Sequence, residues 1–419
     1  MSPADGGPDR GKYQQGLFMK STRKEPALGW ALFSYVVLMT LVITLFPFRF
    51  RWPERIHFLW FGGWSDTFLN VLFFLPLGFL YRLIRSEDSI QRILGLGLGL
   101  SCTIEVAQIF LAERFPSPMD ILTNGIGAWL GALLVESLQH QLSNRWISSL
   151  ALELPLMNVV YLLIPLIWLN GLAAERDSFH HGLAMILGLC GCLIVSAVYL
   201  HLLESSGASR ANWVAVIATG WFLIGSLPRV SESPALVAFG SGLVALATRA
   251  LVLFPWLIKS DQRRFEIPVL KRVCPIYVVY LILLSLSPLP SRYQNWSGVW
   301  GFYNLGEEFF VPVWWLTEYF AAFTLLGYIV AESHGRRNIT QRTSILWSCF
   351  WCGLAAALLE VCRGFHPRYA ASFLQGLFAF TGSLYGSLIY WLQLHAIQHM
   401  VGHRPAGGLG STSGVVSPK

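Results

Sequence analysis

The sequence predicts an all-α fold: a polytopic bundle of about twelve transmembrane helices, with two parallel four-helix repeats around a middle four-helix block. Three observations predict it. Of 419 residues, 54% are apolar and only 13% charged, where a soluble globular chain carries about 25% charged residues. The mean hydropathy is accordingly +0.53. Second, the apolar residues form long runs of about 18 or more with at most one or two charges, the pattern of a membrane-crossing helix. Such runs lack the alternation of a barrel strand. Third, the last four runs echo the first four.

In chain order the spans fall at about 28–48, 64–84, 92–112, 119–139, 150–170, 181–203, 212–230, 234–258, 272–289, 311–331, 343–363 and 372–398. The polar lead lacks a signal-peptide layout, so the first run reads as a retained signal anchor. The resulting segments are a cytoplasmic polar lead (1–27), a four-helix domain (28–140), a middle block (141–260), a degenerate second four-helix copy (261–400) and a Gly/Ser/Pro-rich cytoplasmic tail (401–419) that reads as disordered. With both termini cytoplasmic, 20 Lys and Arg fall on the cytoplasmic side and 9 on the other, with Arg249 inside a span. The positive-inside rule selects that orientation. It also explains the net charge of +7 without nucleic acid. Trp60, Trp64, Trp296, Trp300, Trp314 and Trp315 then fall near the outer interface, where aromatic rings are favoured. Seven cysteines in apolar surroundings do not read as a disulfide framework.

The repeat rests on one gapless register. Glu105 matches Glu360, and the same offset carries Gln108 to Arg363, Gly127 to Gly382 and Gly131 to Gly386. Upstream, Phe74 and Gly78 match Phe323 and Gly327. Two whole repeats separated by an even number of spans share one orientation, unlike the inverted repeats of many transporters.

The first copy carries the informative polar residues. Asp66 and Asn70 lie one turn apart on the second span, Glu105 and Gln108 share a face of the third, Arg114 and Ser117 occupy a short loop, and Asp120 and Asn124 lie one turn apart on the fourth. All fall toward one side of the membrane. A charge within a span costs roughly 2.5–3.5 kcal/mol on insertion scales, so such groups need partners or water. The plain alternative makes Asp66 and Asp120 helix N-caps, pairs Glu105 with Arg114, and uses the amides to join helices. Gly127 and Gly131 read as close helix packing.

These residues resemble the VanZ-like family of bacterial membrane proteins. The resemblance rests on Asp66, Asn70, Phe74, Pro76 and Gly78, then Ile104-Glu105 with Gln108, then Arg114, Ser117, Asp120, Asn124, Gly127 and Gly131. It covers residues 30–138, with a degenerate second copy at 272–398 in which Asp66, Asn70, Asp120 and Asn124 fall opposite Trp315, Tyr319, Gln375 and Ala379. The resemblance implies the bacterial cell envelope and an association with glycopeptide-antibiotic resistance, with no established reaction.

Three functions follow as expectations. The first is an envelope protein whose outward cluster binds a lipid-linked envelope precursor or amphiphilic glycopeptide, with Arg114 on a phosphate or carboxylate. The second is a membrane enzyme using Glu105 with Asp120 or Asp66 as acid and base. The third is a twelve-helix transporter in which Glu105 and Glu360 form a pair. Membrane lipid is the expected surrounding partner, and no cofactor, metal or nucleic acid is expected. Cys349 and Cys352 read as buried thiols, Gly95, Gly97 and Gly99 as a packing surface, and His395, His399 and His403 as cations favoured at a helix C-terminus.

Overall fold

The computed structural model describes residues 26–402, apart from 47, 54–55, 113, 142–143, 174–178, 203–206, 231–232, 258–265, 290–291, 300–310, 336, 338 and 368. Among the described residues are twelve α-helices: α1 Pro26–Thr44, α2 Trp64–Ile84, α3 Ile90–Gln108, α4 Pro118–Gln141, α5 Asn144–Ala173, α6 Phe179–Leu202, α7 Ala208–Ser226, α8 Pro234–Leu253, α9 Glu266–Leu286, α10 Val311–Gly335, α11 Gln341–Gly364 and α12 Phe373–Gly402. Nine of them are long and apolar enough to cross a membrane. The chain is an integral membrane protein built as a helical bundle. Trp300, His403 and the rest of the expected tail beyond Gly402 lie outside the described residues, as does most of the polar lead.

Helices α1–α4 form one unit. α2 packs along α4, α3 packs on α4, and α1 leans on α2. Helices α9–α12 form a second unit in which α10 likewise packs along α12 and α11 on α12, while α9 packs chiefly on α6. The reason lies in matched glycines. A Cβ at Gly78 would run into the Ala128 carbonyl of α4, and one at Gly131 into the Leu75 carbonyl of α2. In the second unit Gly327 and Gly386 stand in the same way against Ser383 and Thr324. Backbones in such contact gain dispersion energy without relying on hydrophobic exclusion, which lipid does not supply. Pro76 sits inside α2 as expected.

The loops repeat as well. After α1, Arg51 N donates to Phe110 O (2.7 Å), and after α9, Gln294 N donates to Phe365 O (3.0 Å). The second unit adds a two-residue parallel strand pair, Gly298–Val299 with Ala371–Ser372.

Between the units, α5 and α6 carry much of the joining core, packing on α10 and α9 respectively. The units therefore sit differently. The span of α10 is 78% buried, the highest share among the nine, while that of its counterpart α2 is 28% buried. This corrects part of the expected aromatic belt. Trp60 and Trp64 are exposed, but Trp314 is buried between Phe46 (6.2 Å) and His180 (6.1 Å). Position near a span end marks an interfacial ring only on a peripheral helix, and α10 is a central one.

Candidate functional site

The C-termini of α1 and α3 and the N-termini of α2 and α4 meet at one end of the first unit, and the predicted polar residues gather there. Ser117 is the residue that caps α4: its Oγ accepts from Asp120 N (3.3 Å), with Pro118 at the first helical position. Asp120 and Asp66 are first-turn acids instead of caps. The favourable dipole location stands, but the capping oxygen is a hydroxyl.

Glu105 is 6% exposed. Its Oε2 accepts from Ser117 N at 2.7 Å, so a backbone N–H holds the carboxylate. No Glu105–Arg114 ion pair closes among the described residues. Arg114 instead donates from Nε to Phe46 O (3.4 Å), tying the α3–α4 loop to the end of α1. Arg114, Asp66 and Asp120 still lie within electrostatic reach of Glu105. Gln108 donates to Thr44 O (3.0 Å). Asn124 donates to Ser101 Oγ (2.8 Å), which in turn reaches Asp120 O (3.5 Å). Asn70 lies beside the Asp120 carboxylate, yet its buried Nδ2 closes no full hydrogen bond, and neither does Asn124 Oδ1. Among the described residues no three His, Cys, Asp or Glu side chains are arranged to hold a metal ion.

The eight predicted residues therefore split. Glu105, Gln108, Ser117 and Asn124 are buried, and their hydrogen bonds join α1, α3 and α4. Asp66, Asn70 and Asp120 are half-buried, and Arg114 is exposed. Arg114 lines a cavity of about 370 Å³ between its own loop and the loop after α1, together with Arg51, Trp52, Ile56, His57 and Phe115. The size falls within the usual range for small-molecule pockets. Hydrogen bonds fix both walls: Arg51 N to Phe110 O, Ala112 N to Arg49 O (3.2 Å) and Leu59 N to Pro116 O (3.1 Å). Sequence reasoning took the loop after α1 only as a connection with interfacial tryptophans. The available signal was the alternation of cations and aromatics from Arg49 to Trp64.

The second unit keeps the frame and changes the chemistry. Glu360 Oε2 accepts from Ser372 N at 2.7 Å, as Glu105 does from Ser117. Gln375 N donates to Ser372 Oγ (3.4 Å). Tyr369, at the place of Arg114, donates to Ser287 O (3.0 Å) after its first helix. Arg363, at the place of Gln108, is 5% exposed. It donates to Gln375 Oε1 (2.5 Å) and Tyr319 OH (3.3 Å), and lies 3.8 Å from Glu360. The rings of Tyr369 and Trp315 flank its guanidinium at 4.7 and 5.4 Å. Positions that hold Asp66, Asn70, Asp120 and Arg114 in the first unit thus hold the walls of a closed cation cage in the second. Sequence reasoning also missed Glu318 on α10, buried and 3.9 Å from His180 on α6.

The comparisons with known proteins fall on the first unit. Residues 25–139 match the VanZ/LLP1 family model. Protein VanZ of Enterococcus faecium is 26% identical over 126 residues, covering 30% of this chain and 75% of that protein. No solved structure matches the chain. The first four helices, with their buried Glu105 and surrounding polar end, are therefore a VanZ-like unit within a longer integral membrane chain.

Proposed function

We propose that this protein is a ligand-binding protein of the bacterial cell envelope, set in the cytoplasmic membrane with both termini in the cytoplasm. The polar end of the first unit then faces outward. The cavity between Arg51, His57 and Arg114 supports this reading: it is held open by backbone hydrogen bonds, lined by cations and rimmed by Trp52 and Phe115. Such a site suits the headgroup of a lipid-linked or amphiphilic envelope compound. The buried carboxylate Glu105 gives less support to acid–base catalysis, since Ser117 N already occupies one oxygen and the side chain is enclosed. Glu105 and Glu360 are each tied to a serine of their own unit, which does not favour a shared transport site.

A glycopeptide-resistance-like role follows from the VanZ-like unit and is tested in cells. A susceptible bacterial host expressing the chain is expected to tolerate more of an acyl-bearing glycopeptide than the host without it. Arg114→Ala and Arg51→Ala at equal membrane abundance are expected to lose that gain. Full protection by both variants overturns the assignment of function to this cavity.

A further inference from the structure

We propose that the occupant of the first-unit cavity is a membrane lipid with a net-anionic phosphate headgroup, entering sideways from the leaflet at this end; the inference rests on the ligand-pocket reading above and names its chemical class. Three features carry it. The two guanidinium groups are partly anchored, Arg51 Nη2 on Ala112 O (3.3 Å) and Arg114 Nε on Phe46 O (3.4 Å). Each keeps further N–H donors in a planar fork, the geometry that phosphate oxygens match. The imidazole of His57 lines the same space. The cavity, about 370 Å³, leaves room for a glycerol or sugar beside the phosphate.

The second feature is the apolar apron that continues from the cavity wall. His57 lines the cavity, and the chain then runs through Phe58, Trp60 and Trp64 to Phe68, which are 58%, 76%, 81% and 62% exposed. Leu59 N donates to Pro116 O, which ties the apron to the cavity wall. In an integral membrane protein, rings exposed beside a cationic pocket lie where headgroups meet acyl chains. A free anion gains nothing from them. A lipid places its phosphate in the cavity and its chains along the rings.

The third feature is an internal control. The corresponding end of the second unit has a cavity of about 340 Å³ lined by Leu286, Leu289, Tyr293, Cys362, Phe365 and His366, without a guanidinium. The same frame with one imidazole and no guanidinium offers a phosphate less.

The test uses the full chain in phosphatidylcholine nanodiscs doped with phosphatidic acid, with retained lipid counted by native mass spectrometry. One phosphatidic acid is expected to be retained about tenfold more strongly than phosphatidylcholine, a difference of about 1.4 kcal/mol. Arg51→Gln combined with His57→Gln is expected to remove the preference, while Arg51→Lys keeps most of it. Soluble glycerol phosphate is expected not to displace the lipid. Preference unchanged in the Gln variant, or displacement by glycerol phosphate as effective as by lipid, overturns the proposal. An uncharged glycolipid retained without phosphate preference, and lost on Trp52→Ala, overturns the phosphate class alone and leaves the pocket reading standing. Retention of every amphiphile unchanged in both variants overturns both.

Discussion

The two units share a frame and differ in what they enclose. In each, a glutamate near the end of the third helix accepts a 2.7 Å hydrogen bond from the N–H of the serine that opens the fourth. Around that bond the first unit places three half-buried polar residues, an exposed guanidinium and an open cavity. The second closes four side chains over Arg363. Their locations explain the difference. Helix α10 is buried along most of its length, packed along α12 and against α11 and α5 of the middle block, whereas the span of α2 is mostly unburied. Half-buried acids such as Asp66 need water at their free oxygens, and a central position withdraws it. Aromatic and amide side chains satisfy one buried cation with less desolvation, which is what the second unit contains.

The largest expected effect comes from breaking the cage. Arg363→Ala empties the cage and leaves the buried Glu360 with the Ser372 N–H alone, and is expected to destabilise the protein by about 3–5 kcal/mol. Gln108→Ala at the matching position removes a neutral hydrogen bond to Thr44 O and is expected to cost about 1 kcal/mol. Detergent-mixture unfolding of both variants measures the gap. Equal losses would mean that the cage contributes no more than its open counterpart.

The frame itself is expected to respond alike in both units. Gly131→Ala and Gly386→Ala each push a Cβ into a carbonyl of the facing helix. Each is expected to lower stability by an amount near the upper end of about 1–3 kcal/mol, because backbone yields less than a side chain. A thermal scan showing loss in one unit only would break the equivalence.

These comparisons also show what was legible in the sequence. The helices were, because apolar runs of this length have one structural outcome in lipid. The unit repeat was, because Gly127 and Gly131 and their counterparts are fixed by backbone contact and recur in register. The convergence of Asp66, Glu105, Arg114 and Asp120 at one end followed from helix direction. The partner of Glu105 was not legible. A search among side chains points to Arg114, while the donor is the main-chain N–H of Ser117. Nor was the cage, since Trp315 reads as an ordinary interfacial aromatic until α10 is seen to be central, and nothing in the sequence singles out Tyr369.

A smaller effect sharpens the contrast between the polar interiors. Asn124 and Ser101 bond to each other in the first unit, and the second unit has buried Ala379 and Ala356 at those places. Ser101→Ala alone strands the Asn124 amide and is expected to cost about 1–2 kcal/mol. The double variant Ser101→Ala with Asn124→Ala adopts the second unit's own solution, and is expected to lose less than the single one. A double variant worse than the single would show that the first unit needs this bond for more than satisfaction.

The smallest effect lies at the opposite end, in the links between the second and third helices of each unit. In the first, the Tyr81 hydroxyl donates to Asp88 (2.9 Å) and Arg92 lies at 2.9 Å, and together they hold the Asp88 carboxyl below its usual range. The second unit's link, from Ser333 to Gln341, contains no carboxylate. A depressed folded-state value means that the stabilisation is fully present above the unfolded carboxyl value of about 3.9 and is lost as pH falls through the folded one. Amide exchange over residues 85–92 is therefore expected to quicken as pH is lowered into that window, after correction for intrinsic rates. Asp88→Asn is expected to remove the pH dependence and leave a fixed, slightly faster exchange. An acid response of the same size in Asp88→Asn would assign the change to the bundle as a whole.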